Sequence, residues 1–392
     1  MISRMHISCA IVVFSLLAVV TNVKAQVFST KAEFAVLIDV NSGATLYTKN
    51  ANKPMPPASM AKMMTLAVVF DALKKGELAL HDTMLVSVDA WKRGGTNSGG
   101  STMFLDPNPK VDPPTVEDLI RGVAVQSGND ASIVIAEGMS GSEDAFAARM
   151  NSLGKSIGMT NTNFTNSTGL PDPDQYTTAH DLAVLGIYLI EEFPDLYPYF
   201  SEPEYTWNKI RQFNRNPLLK TKIGGDGIKT GFTKESGFGM VGSAVEDDRR
   251  LLLVVNGLKK RRTRTEEAKR LLTWGFRSFQ SYPLFGKNEV IGNAKVFGGE
   301  KNSIEVIAKR PIAVLLPKGE RGRITAKVHY KGPLSAPVEA GLPIGELIVK
   351  VDGKQVQSQE VFTNEDVAVG TLQQRAYDAL WELTGGWLGS KL

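Results

Sequence analysis

Alternating apolar and polar positions mark the strands expected in the first part of the chain. Residues 34–40 alternate with a period of two, and residues 44–47 resume the pattern after an Asn-Ser-Gly turn. Two further strand-like segments, 238–245 and 251–255, flank a second turn. The pattern therefore predicts two pairs of antiparallel strands.

Apolar residues recur at helical spacing between these strands. A helix is predicted to follow Pro56-Pro57, to include the apolar run 60–73 and to end near Gly76. Because this run is apolar nearly all round, the helix is expected to be buried. Other helices are predicted over 115–126, 130–138, 143–157, 179–192 and 264–280. The expected class is α/β, a sheet with helices on both sides.

The pattern changes after residue 282. From Pro283 to Gly370, short alternating segments are separated by glycine and proline, which is typical of a small all-β module. Residues 372–392 return to helical spacing, with one apolar stripe made of Leu372, Ala376, Leu380, Leu383 and Trp387. We expect an amphipathic helix that lies in a membrane interface. A helix docked on the β module is the alternative, because the tail lacks the basic face that binds anionic lipid.

The first 25 residues have the pattern of a secretory signal peptide. A short basic stretch precedes the apolar run 11–20, and Val23-Lys24-Ala25 offers small residues at the two cleavage positions. A transmembrane anchor is the alternative, but this run is short for a bilayer. We expect Gln26 to begin the mature chain, and we expect export to the periplasm, on the outer face of the inner membrane.

Composition limits the chemistry that the chain can perform. The 392 residues suffice for two cores, and a net charge of +4 from 45 basic and 41 acidic residues gives no reason to expect nucleic acid. The single cysteine, Cys9, lies in the signal segment. The mature chain therefore lacks disulfides, cysteine metal sites and a thiol nucleophile, and we expect neither a metal nor a cofactor.

A serine and a lysine one helical turn apart open the buried helix. Ser59 stands where unpaired backbone N–H groups favour negative charge, and Lys62 shares its helix face. A lysine buried among apolar residues tends to be neutral, and a neutral amine beside a hydroxyl is a competent general base. The same Ser-x-x-Lys spacing at Ser152 and Lys155 has polar surroundings, so we attribute it to chance.

Two more short motifs follow in order along the chain. Ser127-Gly128-Asn129 interrupts two helical segments, where by itself it indicates only a loop and a helix cap. Lys229-Thr230-Gly231 leads into a strand, where the first two residues offer donors to an anion and the glycine lets a substrate backbone approach. Each tripeptide is common, but the three motifs in this order and context are specific.

With these motifs the chain resembles the low-molecular-mass penicillin-binding proteins, specifically serine-type D-alanyl-D-alanine carboxypeptidases of peptidase family S11. The resemblance extends over the mature chain and includes Asn214-Arg215-Asn216 and the segment 271–276. It implies a β-lactamase/transpeptidase-like catalytic domain over 26–282, a β-sandwich-like domain over 283–371 and the amphipathic helix 372–392. It also implies peptidoglycan peptides ending in D-Ala-D-Ala as substrates and β-lactams as inhibitors.

The resemblance further implies catalytic roles for three side chains. Ser59 would attack the carbonyl of the penultimate D-alanine and form an acyl-enzyme. Lys62 would take the serine proton, and Ser127 would pass a proton to the leaving amine. Water would then hydrolyse the ester.

Substrate binding is implied at the remaining motif residues. Asn129 would orient the substrate amide. The terminal carboxylate would lie against Lys229, Thr230 and Gly231, with help from Arg264. Backbone N–H groups of Ser59 and Phe232 would form the oxyanion hole.

The chain departs from the resemblance at two positions, and other functions stay open. Some members carry a histidine in place of Phe232 or Thr168, so substrate range and deacylation rate are expected to differ. A class A β-lactamase would need a glutamate that residues 160–182 lack. A D,D-endopeptidase would use the same chemistry on cross-links, whereas a non-catalytic wall-binding protein would not need the motif residues. His180 and Asp181 are expected only to begin a helix.

Overall fold

A five-stranded antiparallel sheet forms the centre of the first part of the chain. The computed structural model describes residues 28–319 and 322–389, so the predicted signal peptide and Cys9 lie outside it. The strands are β1 (Phe34–Asp39), β2 (Thr45–Lys49), β3 (Glu204–Trp207), β4 (Ile210–Phe213), β5 (Gly225–Thr233), β6 (Gly237–Glu246) and β7 (Arg249–Leu258). The sheet has the order β2-β1-β7-β6-β5, while β3 and β4 form a separate hairpin that the sequence pattern did not predict.

Helices cover both faces of this sheet, as expected. They are α1 (Lys62–Lys74), α2 (Val88–Gly94), α3 (Val116–Arg121), α4 (Asn129–Ser140), α5 (Glu143–Ser156), α6 (Ala179–Glu192) and α7 (Arg261–Ser278). Val36 and Val254 pack against α1, α4 and α6, whereas their neighbours Leu37 and Leu253 face α7 on the other side. Because side chains alternate between the two faces of a strand, each of these strands contributes side chains to both cores.

Three helix boundaries differ from the sequence expectation in ways that matter for the site. α1 is preceded by one 3₁₀ turn, Ala58–Ala61, and α7 begins at Arg261 rather than at 264. The helix expected over 115–126 ends at Arg121 and continues as a π-helical turn, Gly122–Gln126. Apolar residues keep helical spacing through this turn. The sequence pattern therefore does not distinguish the π-helical turn from a continuing α-helix.

The second part of the chain is β-rich and has its own core. Its strands are β8 (Phe279–Phe285), β9 (Val290–Phe297), β10 (Ser303–Ile307), β11 (Ile312–Pro317), β12 (Ile324–Tyr330), β13 (Leu334–Ser335), β14 (Pro343–Val351) and β15 (Lys354–Thr363). A six-stranded sheet, β12-β14-β15-β10-β9-β13, and the pair β11-β8 share one cluster of buried apolar side chains, including Val306, Val314 and Val349. The expected α/β class with a β-sandwich-like second part is therefore confirmed.

The last helix, α8 (Leu372–Gly389), touches the β-rich part at its first turns. The carboxylate of Asp378 accepts a hydrogen bond of 2.7 Å from the backbone N–H of Gly298. Leu372 and Tyr377 are exposed. Within the described ranges, no helix is both long and apolar enough to cross a membrane.

Candidate active site

Ser59 and Lys62 lie together at the start of α1. The 3₁₀ turn carries Ser59, α1 begins at Lys62, and the lysine Nζ donates a hydrogen bond of 3.3 Å to the serine Oγ. Lys62 is fully buried, because most of α1 packs within an apolar core. The expected spacing therefore produces a direct contact between a hydroxyl and an amine shielded from water.

The surroundings of Lys62 favour its neutral form. Its Nζ also donates to Asn129 Oδ1 at 2.7 Å and to the backbone carbonyl of Thr168. Burial, with a smaller effect from the cation of Arg215, lowers the pKa of Lys62 to about 7, although Asp130 and Glu143 act in the opposite direction. At neutral pH a large share of these amines is therefore unprotonated and able to accept a proton.

Ser127 is held at the floor of the cleft by an unusual backbone. The π-helical turn ends on this residue, whose φ of +66° is left-handed. Its hydroxyl is buried and has no hydrogen-bond partner among the residues described by the structure. Asn129, the third residue of the motif, begins α4 and turns its Oδ1 to Lys62. Backbone strain and a buried hydroxyl without a partner are features of residues that bind or react with a substrate.

The edge strand β5 forms the opposite wall. Lys229 is buried, and among the residues that the structure describes its Nζ donates only to the neighbouring carbonyl of Thr230, at 3.3 Å. Burial and the nearby cations Lys62, Arg215 and Arg264 hold the pKa of Lys229 well below its usual value. An anion beside this amine would restore the stability of its charged form.

Gly231 lets β5 pass close to the nucleophile turn. A Cβ at this position would lie 3.2 Å from the side chains of Ala58 and Met60. The glycine therefore allows the strand edge to approach Ser59 closely.

Arg264 reaches the same wall from the first turn of α7. The residue is 95% buried, and its guanidinium bonds weakly to the carbonyl of Gly239 at 3.5 Å and keeps an unpartnered Nε within the described part of the chain. Burial, followed by repulsion from Arg261, lowers the pKa of Arg264 to about 10. The side chain is still a cation at neutral pH, with donors to spare.

Phe232 presents an aromatic ring to the cleft. Its ring stacks on Phe238, with centroids 4.1 Å apart, and half of the side chain is exposed to the cleft. The two residues also pair across β5 and β6. The cleft wall is therefore apolar and untitratable at this point.

These residues surround one cleft of about 970 Å³. Seven of the predicted site residues line it, namely Ser59, Ser127, Asn129, Thr230, Gly231, Phe232 and Arg264. Lys62 and Lys229 lie buried beside it, each in contact with a lining residue. The structure thus brings all the predicted site residues together.

Two residues close to the site were not predicted from their own sequence context. Arg215 follows β4 and lines the cleft, and Glu143 lies behind the loop that bonds to Lys62. Glu143 Oε1 accepts a hydrogen bond of 2.7 Å from Ser167 Oγ, and Oε2 pairs with Arg93. The sequence marks Arg215 only through the triplet Asn214-Arg215-Asn216, and no local pattern points to Glu143.

Other candidate groups lie outside the cleft. Ser152 and Lys155 are exposed on α5. Asp181 accepts hydrogen bonds of 2.8 Å from Asn161 N and 2.7 Å from Thr162 Oγ1, and it lies with His180 in the first turn of α6. This carboxylate is therefore used in holding a loop.

Comparisons with known proteins agree with this geometry. A family model described as D-alanyl-D-alanine carboxypeptidase matches residues 20–260, and one described as penicillin-binding protein 5, C-terminal domain, matches 279–369. The chain is 39% identical to D-alanyl-D-alanine carboxypeptidase DacA of Haemophilus influenzae over 89% of its own length and 88% of that protein. It is 38% identical to DacC of Escherichia coli over 92% and 90%.

Solved structures give the same result. Penicillin-binding protein 5 of Haemophilus influenzae superposes with a TM-score of 0.78 at 38% identity, covering 87% of this chain and 98% of that one. Penicillin-binding protein D2 of Listeria monocytogenes, solved with cefotaxime bound, matches with a TM-score of 0.57 at 29% identity, over 64% and 98%.

The fold and the serine–lysine cleft define a penicillin-binding serine hydrolase. The chain belongs to the D-alanyl-D-alanine carboxypeptidase family, S11. It is a serine-type D-alanyl-D-alanine carboxypeptidase whose β-rich part matches that of penicillin-binding protein 5.

Proposed function

We propose that Ser59 is the nucleophile and Lys62 the general base in the removal of D-alanine from peptidoglycan pentapeptides. The observation that carries the proposal is the 3.3 Å contact between the two side chains beside a cleft. The lowered pKa of Lys62 supports it, because the base must be neutral before it can accept a proton.

Acylation begins when Ser59 Oγ attacks the carbonyl of the penultimate D-alanine and Lys62 takes its proton. Backbone N–H groups of Ser59 and Phe232 stabilise the oxyanion that forms. When the amide bond breaks, Ser127 passes a proton from Lys62 to the amine of the departing D-alanine. A water molecule then attacks the ester, Lys62 accepts its proton and returns it to Ser59 Oγ as the ester bond breaks, and both groups are restored.

Binding uses the strand edge and the buried cations. The terminal carboxylate lies against Lys229, Thr230 and Gly231, and the spare donor of Arg264 completes its hydrogen bonds. Asn129 donates its amide N–H groups to the peptide carbonyl while its oxygen stays on Lys62. The absence of acidic side chains among the described cleft-lining residues favours this anionic group.

β-Lactams enter the same cleft as substrate mimics. Attack of Ser59 on the lactam carbonyl opens the ring and leaves an ester without a departing amino acid. Glu143, the carboxylate nearest the loop over Lys62, lines a separate depression behind that loop. Because no carboxylate of the described residues lines the cleft, hydrolysis of this ester is slow, and the β-lactam acts as an inhibitor.

Release of D-alanine from a pentapeptide ending in D-Ala-D-Ala tests the nucleophile. We expect Ser59→Ala to abolish release, whereas Ser152→Ala, in the exposed second Ser-x-x-Lys sequence, keeps the wild-type rate. Release at the wild-type rate by Ser59→Ala would overturn the assignment.

Export and domain division belong to the same proposal. Residues 1–25 are a signal peptide, 26–282 the catalytic domain, 283–371 the β-sandwich-like domain and 372–392 a helix that touches the outer face of the inner membrane from the periplasm. The exposed Leu372 and Tyr377 support a membrane contact.

Co-sedimentation with phospholipid vesicles tests the membrane contact. We expect the mature chain to sediment with the vesicles and a chain ending at residue 371 to stay in solution. Equal sedimentation of the two chains would refute it.

A further inference from the structure

Strand β5 carries one extra residue before the part that lines the active-site cleft. Gly225 pairs with Ala244 of β6 and Gly227 pairs with Ser243, so Asp226 between them stands opposite no residue of β6. Such a β-bulge shifts the register of every residue that follows it. Because β5 lies at the edge of the five-stranded sheet, with β6 as its neighbour, the bulge is the point at which its register is decided.

The bulge determines the face of the sheet from which Lys229 projects. Lys229 pairs with Val241, whose side chain belongs to the core that contains α1. Residues directly opposite each other in an antiparallel pair point to the same face. With one residue fewer in β5, Lys229 would stand opposite Met240, whose side chain lies in the core on the α7 side. The extra residue therefore keeps the Lys229 amine on the side of the nucleophile.

Three side chains, which we name the bulge clamp, hold the extra residue in place: Asp226 itself, Arg250 and Tyr197. The Arg250 guanidinium, on β7, donates hydrogen bonds of 2.6 Å to Asp226 Oδ2 and 2.6 Å to Ser243 Oγ. Tyr197, in a 3₁₀ turn, donates a longer hydrogen bond of 3.4 Å to Asp226 Oδ1, and the guanidinium lies 5.4 Å from the centre of its ring. The bulge is thus tied to two elements besides β6.

Tyr197 completes the bulge clamp from the interior. Its side chain is buried, and a Cβ on Gly227 would lie 2.3 Å from its hydroxyl oxygen, so glycine is needed where β5 passes this hydroxyl. Burial, followed by the charge of Asp226, raises the pKa of Tyr197. The hydroxyl therefore keeps its proton and remains a donor to the carboxylate.

Lys229 depends on its strand for its position. In the described part of the chain, its Nζ donates only to the carbonyl of the adjacent Thr230, at 3.3 Å. Burial and the nearby cations, Lys62 first among them, lower its pKa, so these surroundings do not attract the charged amine. The backbone of β5 must therefore hold the amine in place, and the bulge clamp fixes that backbone three residues away.

We propose that Asp226, Arg250 and Tyr197 are positioning residues that fix the bulge of β5 and thereby set the selectivity of the enzyme for peptides with a free terminal carboxylate. The inference rests on the proposed function, because it takes Lys229 as a ligand of that carboxylate. None of the three side chains lines the cleft, so they act on the substrate only through β5.

Two pentapeptides that differ only at the terminus test the bulge clamp. One ends in D-Ala-D-Ala with a free carboxylate, and the other ends in the corresponding carboxamide, which has nearly the same shape but no charge. We expect kcat/KM of the wild type to be roughly 100-fold higher for the acid than for the amide, because the acid makes charge-assisted hydrogen bonds. This acid-to-amide ratio measures how well Lys229 is placed.

Substitutions in the bulge clamp should lower this ratio. Arg250→Gln and Asp226→Asn should each reduce it to about tenfold, through a higher KM for the acid, while kcat stays near the wild-type value. The double variant should show nearly the same ratio as either single variant, because both substitutions remove one contact. Tyr197→Phe removes only the 3.4 Å hydrogen bond, so it should fold and lower the ratio by about twofold.

Arg249→Gln is the matched control. Arg249 precedes Arg250 on β7, but its guanidinium pairs at 2.6 Å with Asp39 of β1, away from β5. Its ion pair is more buried than that of Arg250, so its loss should destabilise the fold at least as much. Thermal denaturation should show this loss of stability, while the acid-to-amide ratio stays at the wild-type value.

The outcomes separate the bulge clamp from the proposed function. A wild-type preference for the acid that is unchanged in the folded Arg250→Gln and Tyr197→Phe variants, or lowered as much by Arg249→Gln, would overturn the bulge clamp alone. Equal cleavage of both peptides by the wild type would show that Lys229 does not bind the carboxylate, and the role of the bulge clamp would be lost with it. Cleavage of neither peptide would overturn the proposed function itself.

Discussion

At the residue scale, the chemistry depends on two side chains one helical turn apart. Lys62 is fully buried, and the hydrogen bonds of its Nζ go to Ser59, Asn129 and the carbonyl of Thr168. These oxygen atoms hold the amine in place without neutralising its charge. Burial can therefore lower the pKa of Lys62, and the serine needs no histidine to activate it.

The pH dependence of acylation follows from this pKa. Because burial lowers the pKa of Lys62 to about 7, the rate of acylation by penicillin should rise with pH through neutrality and level off above it. Arg215→Gln removes a cation that lowers this pKa, so the midpoint should move to higher pH. The second-order acylation rate measured from pH 5 to 9 checks both shifts. A flat profile, or a midpoint moved to lower pH, would contradict the role of Lys62.

Ser127 combines backbone strain with an unused hydroxyl. Ser127→Gly should raise the free energy of unfolding by about 1 kcal/mol, because glycine tolerates a φ of +66°. The same change should lower D-alanine release roughly 100-fold through loss of the proton relay. Ser127→Ala, which loses only the hydroxyl, should show the second effect without the first. Thermal denaturation and steady-state kinetics check the pair, and full activity in either variant would refute the relay.

At the scale of elements, the site is made where irregular segments meet regular ones. The 3₁₀ turn before α1, the π-helical turn before α4 and the loop 166–170 each bring one group to Lys62 or the cleft. α5 holds that loop in turn, because Glu143 binds both Ser167 and Arg93. The helices therefore hold the site in place, and the irregular segments beside them carry Ser59, Ser127 and the carbonyl of Thr168.

Removal of this support should affect stability and catalysis together. We expect Glu143→Ala to lower the free energy of unfolding by about 2 kcal/mol, since the Ser167 hydroxyl and Arg93 lose their acceptor. D-Alanine release should also slow, because Thr168 would no longer be held against Lys62. Asp144→Ala, at an exposed neighbouring position, serves as the control in urea denaturation and kinetics. Wild-type kinetics in Glu143→Ala would show that the loop needs no such support.

Sequence periodicity predicted β1, β2, β6, β7 and α1, but it missed α2 and the hairpin β3–β4, and it could not predict contacts between distant elements. Ser59 and Lys62 could be paired because they share a turn. Arg215 and Glu143 come from segments far from either residue, and only the packing of β4 and α5 brings them near. The π-helical turn was also missed, because its apolar spacing is that of an ordinary helix.

At the scale of the whole molecule, the β-rich part contributes no residue to the lining of the active-site cleft in the described chain. All the site residues lie between Ser59 and Arg264, and the second part has its own core. Polar contacts between the two parts include the 2.8 Å hydrogen bond from Gln357 to the carbonyl of Ser42 and the 2.9 Å ion pair of Arg310 with Glu191. An ion pair near the surface, such as that of Arg310 with Glu191, contributes little stability.

A chain that ends at residue 282 should therefore fold and keep its activity. We expect it to release D-alanine from a soluble pentapeptide with the kcat of the full chain, because no cleft-lining residue is removed. Circular dichroism would establish the fold, and the kinetics would be compared with those of the full chain. A folded truncated chain with a strongly reduced kcat would show that the β-rich part shapes the cleft.

The central claim is that Ser59 carries the acyl group. Mass spectrometry of the protein after incubation with benzylpenicillin, followed by peptide mapping, tests it most directly. We expect one adduct per chain, on the peptide that contains Ser59, and no adduct on the Ser59→Ala variant. An adduct on another residue, or one that persists in Ser59→Ala, would contradict it.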